Sequence, residues 1–199
     1  MSPGNIAYSK YFKRGLDLVF ASIGLVVFLP VMLIASIFIK MESRGKAIYT
    51  QSRVGQYGQK FTIYKLRSMV NDAEKSGVQW ASENDSRVTK VGHALRKLRI
   101  DELPQMWNVL KGDMSLVGPR PERPEFVENF NQTIPFYSCR HTLKPGVTGW
   151  AQINYPYGAS AEDTVQKHSY DLYYLKYISL GLDLQIILRT IGASMKGSR

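Results

Sequence analysis

At 199 residues the chain suits a single domain with a real hydrophobic core and leaves little room for a second. A net charge of +10 fits nucleic acid, an anionic membrane surface or a phosphate-rich substrate and does not choose among them. The single cysteine, Cys139, excludes an intrachain disulfide framework and a thiolate zinc site and suits a reducing, cytosol-facing setting, while the scattered His93, His141 and His168 favour structural or surface roles.

From Leu16 to Ile39 the chain reads LDLVFASIGLVVFLPVMLIASIFI, uncharged after Asp17. At about 1.5 Å per residue such a helix crosses a roughly 30 Å hydrocarbon core. Two features oppose a simple crossing. Pro30, near the middle, removes a backbone hydrogen bond and tends to kink or break the helix, although spanning helices tolerate proline. Lys10, Lys13 and Arg14 before the run are matched by Lys40, Arg44 and Lys46 after it, so no cationic asymmetry separates an inside from an outside. A helix over residues 15–40 that enters, breaks at Pro30 and returns to the same face satisfies both facts; a spanning helix is the other reading. The run is too long for a cleaved signal peptide and no small-residue cleavage site follows it.

Ala47–Ser52 and Lys60–Ser68 alternate as strands, and Gly55 and Gly58 supply the turn of a hairpin. Strand periodicity sets Phe61, Ile63, Lys65 and Arg67 on one face, where Lys65 and Arg67 either reach one anion together or form a solvated edge. Asn71–Asp85 reads as a polar surface loop whose Trp80 packs on the core or anchors at a membrane interface. Asp85 or Ser86 then caps a basic amphipathic helix, with Val88, Val91, Leu95 and Leu98 on one stripe and Arg87, Lys90, Arg96, Lys97 and Arg99 around the rest. Beside a membrane segment, such a helix lies near anionic headgroups or concentrates positive potential where a nucleotide arrives; an ordinary core helix with a solvated face explains most of the same charges.

The densest chemistry lies between Arg96 and Glu122. Asp101 and Glu102 stand just ahead of Pro104, which opens a helix to Leu110, so they sit where unpaired amide donors point outward. The dyad either caps that helix or joins a rigid arginine in holding a divalent metal and a diphosphate. Gly112–Ser115 reads as a turn. Gly118-Pro119-Arg120-Pro121 follows, and its prolines preset the Arg120 guanidinium for two-point recognition of phosphate oxygens, or simply stiffen a surface turn.

Pro124–Asn131 reads as a short helix, residues 144–150 as a Pro/Gly turn into an apolar segment, and Tyr155-Pro156-Tyr157-Gly158 as another loop. Ser160 opens a helix with Glu162 and Asp163 in its first turn and a tyrosine face of Tyr170, Tyr173, Tyr174 and Tyr177. Asp171 among them is a hydrogen-bond hub or the positioner of a basic group. A last helix, Leu182 to Met195, is apolar on most of its circumference and packs on the core or lies in the interface plane.

Several of these motifs, in this order, resemble the bacterial sugar transferase family, the monotopic phosphoglycosyl transferases. The resemblance runs from about Lys10 to the C-terminus. It rests on the proline-broken hydrophobic helix, YTQSRVG with Arg53, YKLRSM with Lys65 and Arg67, DELPQMWNVLKGDMSLVGPRP, PGVTGWAQIN, and YDLYY with Asp171. It implies an α+β fold over residues 1–199: a mostly helical, membrane-associated domain with a re-entrant N-terminal helix, a small β-hairpin and amphipathic interfacial helices. The implied reaction transfers a sugar 1-phosphate from a UDP-sugar to undecaprenyl phosphate with Mg2+, releasing UMP, as the first membrane step of polysaccharide or glycoconjugate biosynthesis. Asp101 would be nucleophile and metal ligand, Glu102 a metal partner or the group that readies the acceptor. Arg53, Lys65, Arg67, Arg96, Arg120 and Asp171 would serve substrate binding. The implied setting is the cytoplasmic face of the bacterial inner membrane, with phospholipid as neighbour and no nucleic acid.

The chain departs from its relatives at Leu29, where a small residue such as Ser is usual before the proline, and at Arg99, where Ser or Thr often precedes the dyad. Larger members add an N-terminal region, so the expected form is the small catalytic core or one excised from a longer protein. The competing class is a membrane-anchored basic module that binds anionic lipid or nucleic acid without catalysis; a metal-dependent phosphoanhydride hydrolase stands closer to the transferase.

Overall fold

The computed structural model describes residues 7–75, 77, 79, 85–155, 158 and 160–196. After a π-helical turn at Tyr8–Phe12, helix α1 runs from Lys13 to Glu42. Pro30 does not end it: one missing backbone bond in a run of apolar residues leaves the helix assigned without interruption.

Both ends of α1 are fastened to one body. Near its start, Arg14 donates to the carbonyls of Val109 and Leu110 at 2.5 and 2.8 Å, and buried Asp17 accepts from Ser115 Oγ and the Leu116 amide at 3.1 and 3.0 Å. At the far end Arg67 donates to the carbonyls of Ile39 and Ser43, and the Glu42 carboxylate takes the amides of Lys90 and Val91. Ala21 joins Ile63, Val109 and Met114 in one apolar cluster, and Ala35 and Ile39 join Ala47, Leu66 and Leu95 in another. Between Ala21 and Ala35 no residue is buried, and Val26 to Val31 are all exposed.

Strands β1 (Ile48–Val54) and β2 (Lys60–Leu66) form the expected antiparallel hairpin. Helix α2 (Lys90–Lys97) starts later than its charge pattern suggests. Thr89 caps it through Gly92 N, because Asp85 uses its carboxylate on the amide and guanidinium of Arg87. Helix α3 (Gln105–Lys111) is laid on β2 by fully buried Asn108, whose Oδ1 accepts from Tyr64 N at 3.1 Å while Nδ2 donates to Thr62 O at 2.7 Å. Gly112, at φ 93°, ends it.

Strands β3 (Ser115–Val117) and β4 (Gly146–Thr148) then pair in parallel, a sheet of three-residue strands too short for periodicity to announce. Glycine permits the approach: a Cβ on Gly146 would lie 2.1 Å from Gly118 N, and one on Gly118 would lie 2.4 Å from Lys144 O. Helices α4 (Pro124–Thr133), α5 (Trp150–Asn154), α6 (Ala161–Tyr177) and α7 (Leu180–Lys196) complete the body. Ser160 and Asp163 close a capping box at the start of α6. Buried Asp183 on α7 accepts from the Tyr8 and Tyr174 hydroxyls at 2.7 and 2.6 Å and pairs with Lys13, tying the chain's two ends together. Trp80, Pro156 and Tyr157 lie outside the described residues.

Candidate active site

The dyad stands on a turn of its own. Arg99 takes a left-handed conformation at φ 56°, which reverses the chain after α2, and Ile100–Glu102 form a 3-10 turn ahead of Pro104. Glu102 does not cap α3: its carboxylate goes to Lys65 and Arg120. The cap position is Pro104, one residue later than the sequence suggests, and it receives no side-chain bond. The turn instead directs both acids into a cleft of about 540 Å³, with Asp101 only 6% exposed.

Glu102 is gripped from two elements. Its Oε1 accepts from Lys65 Nζ on β2 and from Arg120 Nη2, both at 2.9 Å. Burial by itself would raise the carboxyl; the charges of Arg120 and Lys65 and their hydrogen bonds outweigh it and hold Glu102 well below the usual carboxylate range. The same ion pairing raises Arg120, while burial lowers Lys65 against the opposing charge of Glu102.

Arg120 comes from a loop whose main chain is locked. Four consecutive carbonyls each hold a donor: Pro119 O takes Gly146 N at 2.9 Å, and Arg120 O takes Arg140 Nη2 at 2.8 Å. Pro121 O takes Arg53 Nη1 at 3.2 Å, and Glu122 O takes Val54 N at 2.9 Å. Arg140 also pairs with Asp171 Oδ2 at 2.8 Å and donates to the Tyr137 hydroxyl at 2.6 Å. Burial pushes the Asp171 carboxyl up to about 6 against the pull of Arg140.

All eight residues singled out in the sequence line the one cleft: Asp101, Glu102, Arg53, Lys65, Arg67, Arg96, Arg120 and Asp171. Their duties differ. Arg67 does not share an anion with Lys65; its guanidinium is turned to the end of α1, donating to the carbonyls of Arg44 and Ser43, both at 2.8 Å, and to Asn71 Oδ1 at 2.5 Å. Arg53 serves the Pro121 carbonyl and Gln51, and Arg96 Nε donates to Ser68 Oγ at 2.8 Å. Arg123, Arg140, Tyr137, Lys167 and His168 also line the cleft and escape sequence reasoning. Arg123, Tyr137 and Arg140 sit in or beside short helical segments, and Lys167 and His168 lie within α6, where no repeat or spacing marks a basic residue as inward-facing. Among the described lining residues ten are Lys or Arg and five Asp or Glu, a balance suited to a multiply charged anion.

No three His, Cys, Asp or Glu side chains converge into a ready-made metal cage among the described residues. The donor set still suits Mg2+, which typically binds through one or two carboxylates and substrate phosphates. Asp101 and Glu102 are the adjacent carboxylates of the cleft that such an ion would meet, and Oε1 of Glu102 already holds two cations.

Comparison with known proteins identifies relatives of the chain. A family model described as bacterial sugar transferase matches residues 8–197. The UDP-N-acetylgalactosamine-undecaprenyl-phosphate N-acetylgalactosaminephosphotransferase of Aeromonas hydrophila is 50% identical over 187 residues, 94% of this chain and 44% of that protein. UDP-glucose:undecaprenyl-phosphate glucose-1-phosphate transferases are 43% identical in Caulobacter vibrioides, over 90% of this chain and 68% of that protein, and 40% identical in Escherichia coli K12, over 92% and 40%. The chain thus spans less than half the length of the Aeromonas and Escherichia relatives.

Proposed function

Because the chain belongs to the bacterial sugar transferase family, we propose that it moves a sugar 1-phosphate from a UDP-sugar to undecaprenyl phosphate and releases UMP. One observation carries this reading: an adjacent pair of carboxylates lines a cleft rich in cations, with Glu102 clasped by Lys65 and Arg120 beside Asp101.

Asp101 is the nucleophile of a ping-pong reaction. A carboxylate oxygen attacks the sugar-bearing phosphorus, the bond from that phosphorus to the bridging oxygen breaks, and UMP leaves with the electron pair. The sugar phosphate now rides on Asp101 as an acyl phosphate ester. An oxygen of undecaprenyl phosphate attacks the same phosphorus, the carboxylate departs, and the lipid carries the sugar diphosphate. The relay splits one difficult transfer into two easier ones. Lys65, Arg96 and Arg120 neutralise phosphate oxygens so that one anion can approach another. Glu102, held far below its ordinary range, is a poor base; its depressed titration suits the counter-charge that aligns Lys65 with Arg120. Mg2+, held by Asp101 and the donor diphosphate, would add further charge neutralisation.

Helix α1 supports the membrane placement. Its two ends are tied to one body while residues 22–34 stay out of the core, which supports a helix that enters the membrane without crossing it and keeps both ends on the cytoplasmic face of the inner membrane. Arg67 lines the cleft and bonds the last turn of α1, so the cleft opens where a lipid phosphate would arrive.

The test is UMP release by detergent-extracted protein given undecaprenyl phosphate, Mg2+ and a panel of donors that includes UDP-N-acetylgalactosamine, UDP-glucose and UDP-galactose. At least one donor is expected to yield UMP in a lipid-dependent, EDTA-sensitive manner. Silence across the panel would sink the reading, and sustained turnover without lipid would mark a hydrolase.

A further inference from the structure

Prolines at 119 and 121 fix two φ angles, and Pro121 confines ψ of Arg120 to the extended region, yet within that region the Arg120–Pro121 peptide can still swing. Arg140 supplies a donor that stops it, 2.8 Å from the Arg120 carbonyl. Arg140 is itself held by Asp171 at 2.8 Å and by Tyr137 at 2.6 Å, and its cation lies 5.0 Å from the Tyr137 ring centre. Tyr137 packs in turn on Phe130, at 5.2 Å between ring centres.

Arg140 and Asp171 are 6% and 2% exposed. A guanidinium whose terminal nitrogens hold three protein oxygens, and whose Nε is buried, has little reach toward a phosphate. Nor does stability readily account for the pair, since desolvating two charges costs about as much as their attraction returns, and apolar residues of similar volume often do as well. What the pair reaches does account for it: the main chain of the residue whose side chain holds Glu102.

Resting on the transfer reaction proposed above, we propose that Asp171 and Arg140 are positioning residues that act through Arg120. Asp171 orients Arg140, Arg140 fixes the Arg120 peptide, and Arg120 is thereby presented to Glu102 at 2.9 Å next to Asp101. Neither residue touches the reacting phosphate. Asp171, which the family resemblance assigns to substrate, instead takes its effect from two residues away in the chain of contacts.

Two double-variant cycles test this. In UMP release, Asp171→Asn is expected to lower kcat about 10- to 100-fold, the scale of a small misplacement of a catalytic group, with a smaller change in donor KM. In an Arg120→Ala background the same substitution is expected to cost less than about twofold, and Arg140→Lys to retain more activity than Arg140→Met. Losses that multiply in the double variant would overturn the relay. The second cycle needs no turnover: melting temperatures of Asp171→Asn, Glu102→Gln and their combination. Residues with no shared partner normally add; the relay predicts that these do not. Additive melting shifts would also overturn it. Absence of UMP from the unaltered protein would instead defeat the transferase reading, leaving the melting cycle to judge the relay.

Discussion

Glu102 and Arg120, eighteen residues apart, meet at 2.9 Å, and the same carboxylate oxygen is 2.9 Å from Lys65. A local helical turn, a hairpin strand and a proline-flanked loop therefore converge on a single atom. Removing that charge leaves two cations facing each other in a buried setting. Glu102→Gln is expected to lower stability by about 1–3 kcal/mol, because Arg120 is partly solvated and the full cost of a broken buried pair does not apply. Turnover should fall by about 10²-fold or more, the scale of losing an aligned electrostatic group. Thermal melting and UMP release on the same preparation check both; unchanged melting would contradict the geometry.

Arg67 separates a structural from a substrate role. It donates to three carbonyls at the end of α1 and to Asn71, so Arg67→Ala should lower the melting temperature by several degrees, equivalent to about 2–4 kcal/mol for hydrogen bonds made by a charged donor. Donor KM in the fraction that remains folded should change less than threefold. A large rise in KM with unaltered melting would return Arg67 to the phosphate.

The membrane arrangement gives a labelling experiment. Tyr11 and Met41, 67% and 75% exposed, flank the apolar stretch of α1. In a Cys139→Ser background, Tyr11→Cys and Met41→Cys should both resist a membrane-impermeant thiol reagent in intact spheroplasts and both react once the membrane is opened. Labelling of one from outside would mean that α1 crosses.

The two histidines near Arg140 set a pH dependence. Burial, reinforced by the Arg140 charge, pushes His141 down to about 4 and lowers His168 as well. Since free histidine titrates at about 6.5, the unfolded chain takes the proton first as the pH falls. Their contribution to stability is thus fully present above about pH 6.5 and is lost progressively toward pH 4. Asp171, raised to about 6, takes its proton first in the folded chain and works the other way below that pH, so the histidine part is read by difference: below about pH 6.5 the melting temperature of His141→Phe should fall less, or rise more, than that of the unaltered protein. A profile unchanged by the substitution would contradict the assignment.

Much of this site was legible because it is written locally. Asp101-Glu102, the proline-flanked Arg120 and the alternation that turns Lys65 inward are each contained within a few residues, and backbone constraint or strand period fixes their direction. What sequence left open depended on partners distant in the chain. Arg67 looks like a phosphate ligand until α1 brings three carbonyls to it. Asp85 looks like a cap until Arg87 claims it. The β3–β4 pair is too short to show a period, and Arg140 stands in a turn where nothing distinguishes it from a surface cation. Pro30 marks the middle of the apolar run plainly, yet a proline's single lost hydrogen bond does not say whether the helix ends there, and α1 continues through it.

The central claim is that the Asp101 carboxylate temporarily carries the sugar phosphate, and intact-protein mass spectrometry tests it most directly. Protein incubated with a competent UDP-sugar and Mg2+, without lipid acceptor, should gain the mass of one sugar phosphate. Peptide mapping should place it on Asp101, undecaprenyl phosphate should discharge it, and Asp101→Asn should abolish it. UMP release with no adduct, or an adduct on any other residue, would contradict the account.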